Sequence, residues 1–219
     1  MKSSPLEKFF IQGAAGKLET VLAKPNGSPK GVAIVAHPHP LYGGTMDNKV
    51  VYILFNTFLE LGFVTVKFNF RGVGQSEGNF DDGAGELTDV ITVTETIRKQ
   101  SSEFSNLPLL LSGFSFGGGI QLRAAQTLNP DFLILVAPSI VNLKAPMPSR
   151  ENCFVLIIQG NEDDVVTLES ILTWAKPYSQ PIVVVPGAEH FFHRKLMAIK
   201  HLLVNFLVCK KSLDYLQKD

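Results

Sequence analysis

A chain of 219 residues, 45% hydrophobic and 18% charged, can bury the core of one α/β domain and is short for two, so residues 1–219 read as a single domain. Lys+Arg and Asp+Glu each number 20, which leaves no net charge, and no basic stripe or polybasic segment points to nucleic acid or a membrane surface. Residues 1–8 lack the apolar core of a signal peptide, no apolar run reaches membrane-spanning length, and Cys153 and Cys209 lack metal-ligand spacing; together these predict a cytoplasmic protein.

Residues 6–12 and 17–23 flank Gly13-Ala14-Ala15-Gly16, the pattern of an antiparallel hairpin. A turn-rich loop at 25–29 leads to 31–36 (GVAIVA), a continuous apolar run suited to a strand buried on both faces. That run enters the histidine- and proline-bearing loop 37–44. In 47–61, Val50, Val51, Leu54, Phe55, Phe58 and Leu59 recur at helical spacing, with Thr45 or Asp47 placed to cap the start and Gly62 to end the helix. Residues 63–70 read as a strand. The loop 71–78 reads as a structural turn, because its glycines miss the G-x-G-x-x-G spacing of a dinucleotide site.

A helix is predicted over 84–99, a polar loop over 101–106 and a strand over 107–112. A helix over 118–128 ends at Asn129-Pro130, and a strand follows over 132–137. After a proline-bearing connection at 138–152 come a strand over 153–159, a short helix over 168–176, a last strand over 181–185 and a closing helix over 192–208. Residues 210–219 read as a solvated tail or a helical extension. This alternation predicts an α/β fold, a mostly parallel sheet between two helical layers. Ligands in such sheets sit at the carboxyl ends of the strands, and every candidate group below follows a predicted strand.

The first group is Gly113-Phe114-Ser115-Phe116-Gly117. An apolar strand precedes it and a helix-compatible run follows, the context in which G-x-S-x-G makes a steep turn that projects the serine Oγ. A serine hydroxyl needs a base to take its proton and an acid to orient that base. Among five histidines, His190 lies in the loop after the last strand, His193 at the start of the closing helix and His201 within it. His190 is therefore the candidate base. The loop after residue 159 offers Glu162, Asp163 and Asp164; Asp163 is the candidate acid and Asp164 its rival. The order Ser115, Asp163, His190 is nucleophile, acid, base.

An oxyanion hole needs two backbone N–H donors. Phe116, after the nucleophile, supplies one. Pro38 and Pro40 have no N–H, which leaves His37, His39 and Leu41, and His39 is the preferred second donor. His37 and His39 lack third and fourth ligands nearby, so no metal site is predicted, and no cofactor is expected.

Residues 37–49 (HPHPLYGGTMDNK), 69–76 (NFRGVGQS), 113–118 (GFSFGG) and 187–192 (GAEHFF) together resemble the α/β-hydrolase superfamily, close to the small, lid-poor hydrolases related to dienelactone hydrolases. The resemblance implies the α/β-hydrolase fold: a three-layer sandwich around a mostly parallel eight-stranded sheet, only the second strand antiparallel, with a Ser-Asp-His triad. Dienelactone hydrolases proper use a cysteine nucleophile where this chain has Ser115, and Thr167 stands where a proline often follows the two valines of the acid loop. The connection at 138–152 is too short for a cap domain, so Ser115 is expected to lie open to solvent, with Tyr42, Phe114, Phe116, Leu143, Met147 and Phe191 lining an apolar cleft. The expected activity is hydrolysis of a small ester or thioester through an acyl-enzyme on Ser115. A peptidase or amidase of the same fold and a non-catalytic binding module are the alternatives.

Overall fold

In the computed structural model, which describes residues 5–140, 146–148 and 153–216 and side chains as far as residue 208, eight strands join in one sheet. They are β1 (Leu6–Gly13), β2 (Gly16–Ala23), β3 (Gly31–Ala36), β4 (Phe63–Phe68), β5 (Leu109–Phe114), β6 (Phe132–Val136), β7 (Phe154–Gly160) and β8 (Val183–Val185), in the spatial order β1-β2-β4-β3-β5-β6-β7-β8. Only β2 runs against its neighbours. The α/β-hydrolase fold expected from the sequence is the one observed.

Strand geometry sends alternate side chains to opposite faces. Val32 and Ile34 of β3 pack with Val90, Val93 and Ile97 of α2 (Ala84–Lys99) and Ile120 of α4 (Phe116–Leu128). Ala33 and Val35 pack on the other side with Val51 and Leu54 of α1 (Lys49–Glu60) and Ile199 and Leu203 of α6 (Leu196–Leu216). The two central strands β3 and β5 are buried along their whole length. Chain connections leave β3 for β4 on one side and reach β5 on the other, so the sheet has its switch point between them. Loops following the strands part there and open a crevice.

Several boundaries differ from expectation for local reasons. Helix α1 is capped by Asn48, whose Oδ1 accepts from the Val50 amide at 2.8 Å, rather than by Thr45 or Asp47. The predicted polar loop at 101–106 contains a single helical turn, α3 (Ser102–Ser105), started by Ser101 Oγ accepting from the Glu103 amide. Helix α6 begins at Leu196, not at residue 192, because Phe192 and Arg194 have φ of 54° and 61°, outside helical range. It runs on to Leu216, so the tail is largely a helical extension. The short α5 (Leu168–Ala175) lies between β7 and β8. Leu143 and the side chain of Cys209 lie outside the described residues, and Cys153 is buried. No helix among the described residues is long and apolar enough to cross a membrane.

The loop after β4 is the structural turn expected. Gly72, Gly74 and Gly78 take φ of 72°, 57° and 87°, which side chains other than glycine rarely adopt. Its Arg71 is buried against Asp89 of α2, with Nη2 donating to Oδ1 at 2.7 Å, and the carboxylate raises the guanidinium pKa further. Asn69 Oδ1 accepts from the Met46 amide at 2.9 Å, which ties this loop to the segment after β3.

His37 completes that tie. Its Nε2 accepts from the Phe70 amide at 3.0 Å, and Nδ1 donates to the Pro38 carbonyl at 2.6 Å. Burial lowers its pKa to about 4. Since the folded form resists protonation and the unfolded form does not, stability is full above pH 6.5 and falls as the pH drops from 6.5 towards 4. Relative to a His37→Gln variant, the wild type should lose roughly 3 kcal/mol between pH 7 and pH 4 in urea unfolding. Parallel pH profiles for the two proteins would refute this.

Candidate active site

Strand β5 ends at Phe114 and α4 starts at Phe116, which leaves Ser115 alone to make the turn, with φ 54° and ψ −120°. A serine held there is strained. Neighbouring contacts hold it: its amide donates to the Val136 carbonyl at 3.0 Å, and its carbonyl accepts from the Gly119 and Ser139 amides at 3.2 and 2.9 Å. Glycine is required beside it. A Cβ at Gly113 would lie 2.5 Å from the Gly117 carbonyl carbon, and one at Gly117 would lie 2.6 Å from the Ala36 carbonyl oxygen.

Ser115 Oγ and His190 Nε2 are 3.0 Å apart, and His190 Nδ1 and Asp163 Oδ2 are 2.8 Å apart. Of the two candidate acids, Asp163 is the one in contact with His190, and Asp164 is exposed. The buried Asp163 carboxylate is well solvated by protein: Oδ1 accepts from the Val165 and Val166 amides at 3.0 and 2.7 Å, and Oδ2 also accepts from Gln159 Nε2 at 3.1 Å. Such a set offsets the cost of burying the charge. The acid and base loops are joined by the Glu162 amide donating to the Ala188 carbonyl at 3.0 Å and the Gly187 amide donating to Asn161 Oδ1 at 2.6 Å.

The two amides expected to form the oxyanion hole belong to residues that line one cavity with Ser115 and His190. Phe116 is the first residue of α4, so its N–H has no intrahelical acceptor and lies at the positive end of the helix dipole. Leu41 is eliminated, because its amide donates to His39 Nδ1 at 3.2 Å. The His39 amide has no acceptor among the described residues. Burial lowers the pKa of its ring against the opposing pull of Glu86 and Asp82, in keeping with a neutral imidazole accepting at Nδ1. Both ring nitrogens of His37 are engaged within the protein, which leaves it no lone pair for a metal.

The cavity has a volume of about 520 Å³, and Tyr42, Phe116 and Phe191 of the expected apolar residues line it. Phe114 does not; it is fully buried below and packs on the His190 ring with centroids 5.0 Å apart. Met147 packs against the core instead. Ser115 is only 7% exposed, so it lies at the floor of an open cleft rather than at the surface.

Two supporting residues were not anticipated. Gln159 sits at the inward end of an otherwise apolar strand, and that lone polar residue before the acid loop was the available signal. Glu189 clamps the base loop: its carboxylate accepts from the Phe191 and His193 amides at 2.9 and 2.6 Å and pairs with His193 Nδ1 at 3.0 Å. Burial is the largest single influence on the Glu189 pKa and raises it, but these hydrogen bonds and the neighbouring His193 together outweigh it and leave the pKa lowered. They hold the turn that carries His190, and His193 belongs to this clamp rather than to helix α6. His201 is exposed on α6.

An α/β serine hydrolase homologue from Coxiella burnetii is 39% identical, with a TM-score of 0.80, over 91% of this chain and 96% of that one. The chain belongs to the α/β serine hydrolases. A lid-less α/β serine hydrolase from Xanthomonas campestris is similar to this hydrolase at 34% identity and a TM-score of 0.82, over 94% of this chain and 95% of that one. An uncharacterized protein of Rickettsia prowazekii is 30% identical over 94% of this chain and 91% of its own. The family model of the X-Pro dipeptidyl-peptidases (S15 family) matches residues 14–145 of the hydrolase, a stretch that includes Ser115 and stops short of Asp163 and His190.

Proposed function

We propose that this hydrolase cleaves a small-molecule carboxylic ester or thioester through an acyl-enzyme on Ser115. The observation that carries this is the unbroken hydrogen-bonded chain from Ser115 through His190 to Asp163 at 3.0 and 2.8 Å. His190 Nε2 takes the Oγ proton as Oγ attacks the carbonyl carbon. The Phe116 and His39 amides hold the oxyanion. His190 then gives its proton to the departing alkoxide or thiolate, and a water activated by the same imidazole releases the acid. Residues 1–219 form a single domain in this reading, without cofactor or metal. A cytoplasmic location belongs to the same reading, since a chain with only two cysteines suits a reducing compartment.

The match to the X-Pro dipeptidyl-peptidase model favours a second reading, a peptidase or amidase. Purified protein assayed on p-nitrophenyl butyrate, a phenyl thioester and an aminoacyl p-nitroanilide separates the two. Turnover of the ester and thioester far above the anilide is expected; anilide turnover matching the ester favours the peptidase; no turnover leaves a binding module.

The oxyanion assignment makes its own prediction. A Cβ at Gly117 would crowd Ala36 and His37, forcing the start of α4, and the Phe116 amide with it, away from the loop after β3. Gly117→Ala should cost roughly 1–3 kcal/mol of stability by overpacking. It should also lower kcat by about 100- to 1000-fold, as loss of one oxyanion donor does. Denaturant titration and steady-state kinetics on the same preparation would check both; unchanged kcat would refute the assignment.

A further inference from the structure

We infer that Asn48 is a substrate-binding donor, and that the preferred substrate carries a second, uncharged oxygen acceptor beside its scissile carbonyl, an inference resting on the ester-hydrolase reading above. Asn48 lines the same cavity as Ser115, Phe116 and His190. Its backbone is fixed on both sides: its amide donates to the Thr45 carbonyl at 3.1 Å, and its carbonyl accepts from the Tyr52 amide at 2.9 Å. Its side-chain orientation is also fixed, because Oδ1 accepts from the Val50 amide at 2.8 Å and only an oxygen can do so. The carboxamide nitrogen therefore faces away from Val50, and it has no acceptor among the described residues.

A helix cap needs an acceptor and nothing more. Serine, threonine and aspartate serve there about as well as asparagine. What asparagine adds at position 48 is an N–H₂ group, held rigid before any ligand arrives, and a donor fixed in advance gives up little entropy on binding. The acceptor it suits is uncharged, since no lysine or arginine among the described residues lines the cavity and a carboxylate there would lack a counter-ion from them. An ether, hydroxyl or carbonyl oxygen fits.

Isosteric ester pairs test this: p-nitrophenyl butyrate against p-nitrophenyl methoxyacetate on the acyl side, and butyl butyrate against 2-methoxyethyl butyrate on the alcohol side. Each is assayed with wild type, Asn48→Ser and Asn48→Asp, which keep the cap, and thermal melts are run on the same samples. Dividing each variant's kcat/KM by that of the wild type cancels the intrinsic reactivity of each ester. Asn48→Ser is expected to lose about 5- to 10-fold on the oxygen-bearing member of one pair and less than about 2-fold on its hydrocarbon partner, with unchanged melting. Equal loss on both members of each pair, or no loss on any, would overturn the inference while leaving the ester-hydrolase reading intact. Absence of ester turnover by the wild type would remove that reading, and the inference with it.

Discussion

Ser115→Ala is expected to lower ester turnover by about a million-fold in kcat, to the residual rate that oxyanion donors and binding supply alone. The fold should survive the change. Ser115 Oγ bonds only to His190 among the described residues, while the backbone bonds to Val136, Gly119 and Ser139 that hold the turn do not involve the side chain. Alanine bears the same positive φ with a Cβ in the same place. Substrate binding and melting temperature should therefore remain near wild type while kcat collapses. A variant that loses activity and unfolds together would not separate chemistry from structure; steady-state kinetics beside a thermal melt distinguishes the two.

Asp163→Asn is expected to cost about ten-thousand-fold in kcat with the geometry kept. The reason lies in which oxygen is spoken for. Oδ1 accepts from two amides, Val165 and Val166, so an asparagine must place its carbonyl oxygen there. Its N–H₂ then occupies the Oδ2 position and faces His190 Nδ1 and Gln159 Nε2. His190 meets that donor by presenting a lone pair at Nδ1, which puts its proton on Nε2, pointing at Ser115 Oγ. An imidazole in that tautomer has no lone pair with which to take the serine proton. Gln159 Nε2 also donates to the Val166 carbonyl at 2.7 Å and would keep that partner, so the strand end stays in place. Kinetics of the variant, with a structure to confirm unmoved side chains, checks this.

The candidate triad was legible because a mostly parallel sheet brings the ends of its parallel strands to one rim. Ser115, Asp163 and His190 each follow a strand, so their convergence needed no knowledge of long-range contacts. Choosing between Asp163 and Asp164 was not legible. Adjacent residues in one turn differ by side-chain direction, and here that direction is set by the Val165 and Val166 amides. The start of α1 was misplaced because the 3-10 turn at Pro40–Tyr42 and the Asn48 bond to Thr45 carry the chain further before the helix begins. Tyr42, Phe116 and Phe191 line the cleft as expected, but Phe114 does not, for a related reason. Phe114 looks like a neighbour of Ser115 in sequence, but it is the last strand residue and its side chain packs in the core between the sheet and helices α1 and α6. Depth was likewise invisible: the connection after β6 is too short to hold a cap domain, yet Ser115 still sits at the floor of the cleft, walled by Tyr42, Val165 and Phe191.

In the proposed reading Ser115 is a nucleophile activated by His190 and Asp163. Treatment with a fluorophosphonate, followed by intact-mass and peptide mass spectrometry, tests it most directly, since the probe reports an activated serine without requiring the substrate. A single rapid adduct on Ser115 is expected, with none there in Ser115→Ala and slow formation in Asp163→Asn. No adduct on Ser115, or labelling of Asp163→Asn as fast as wild type, would contradict it.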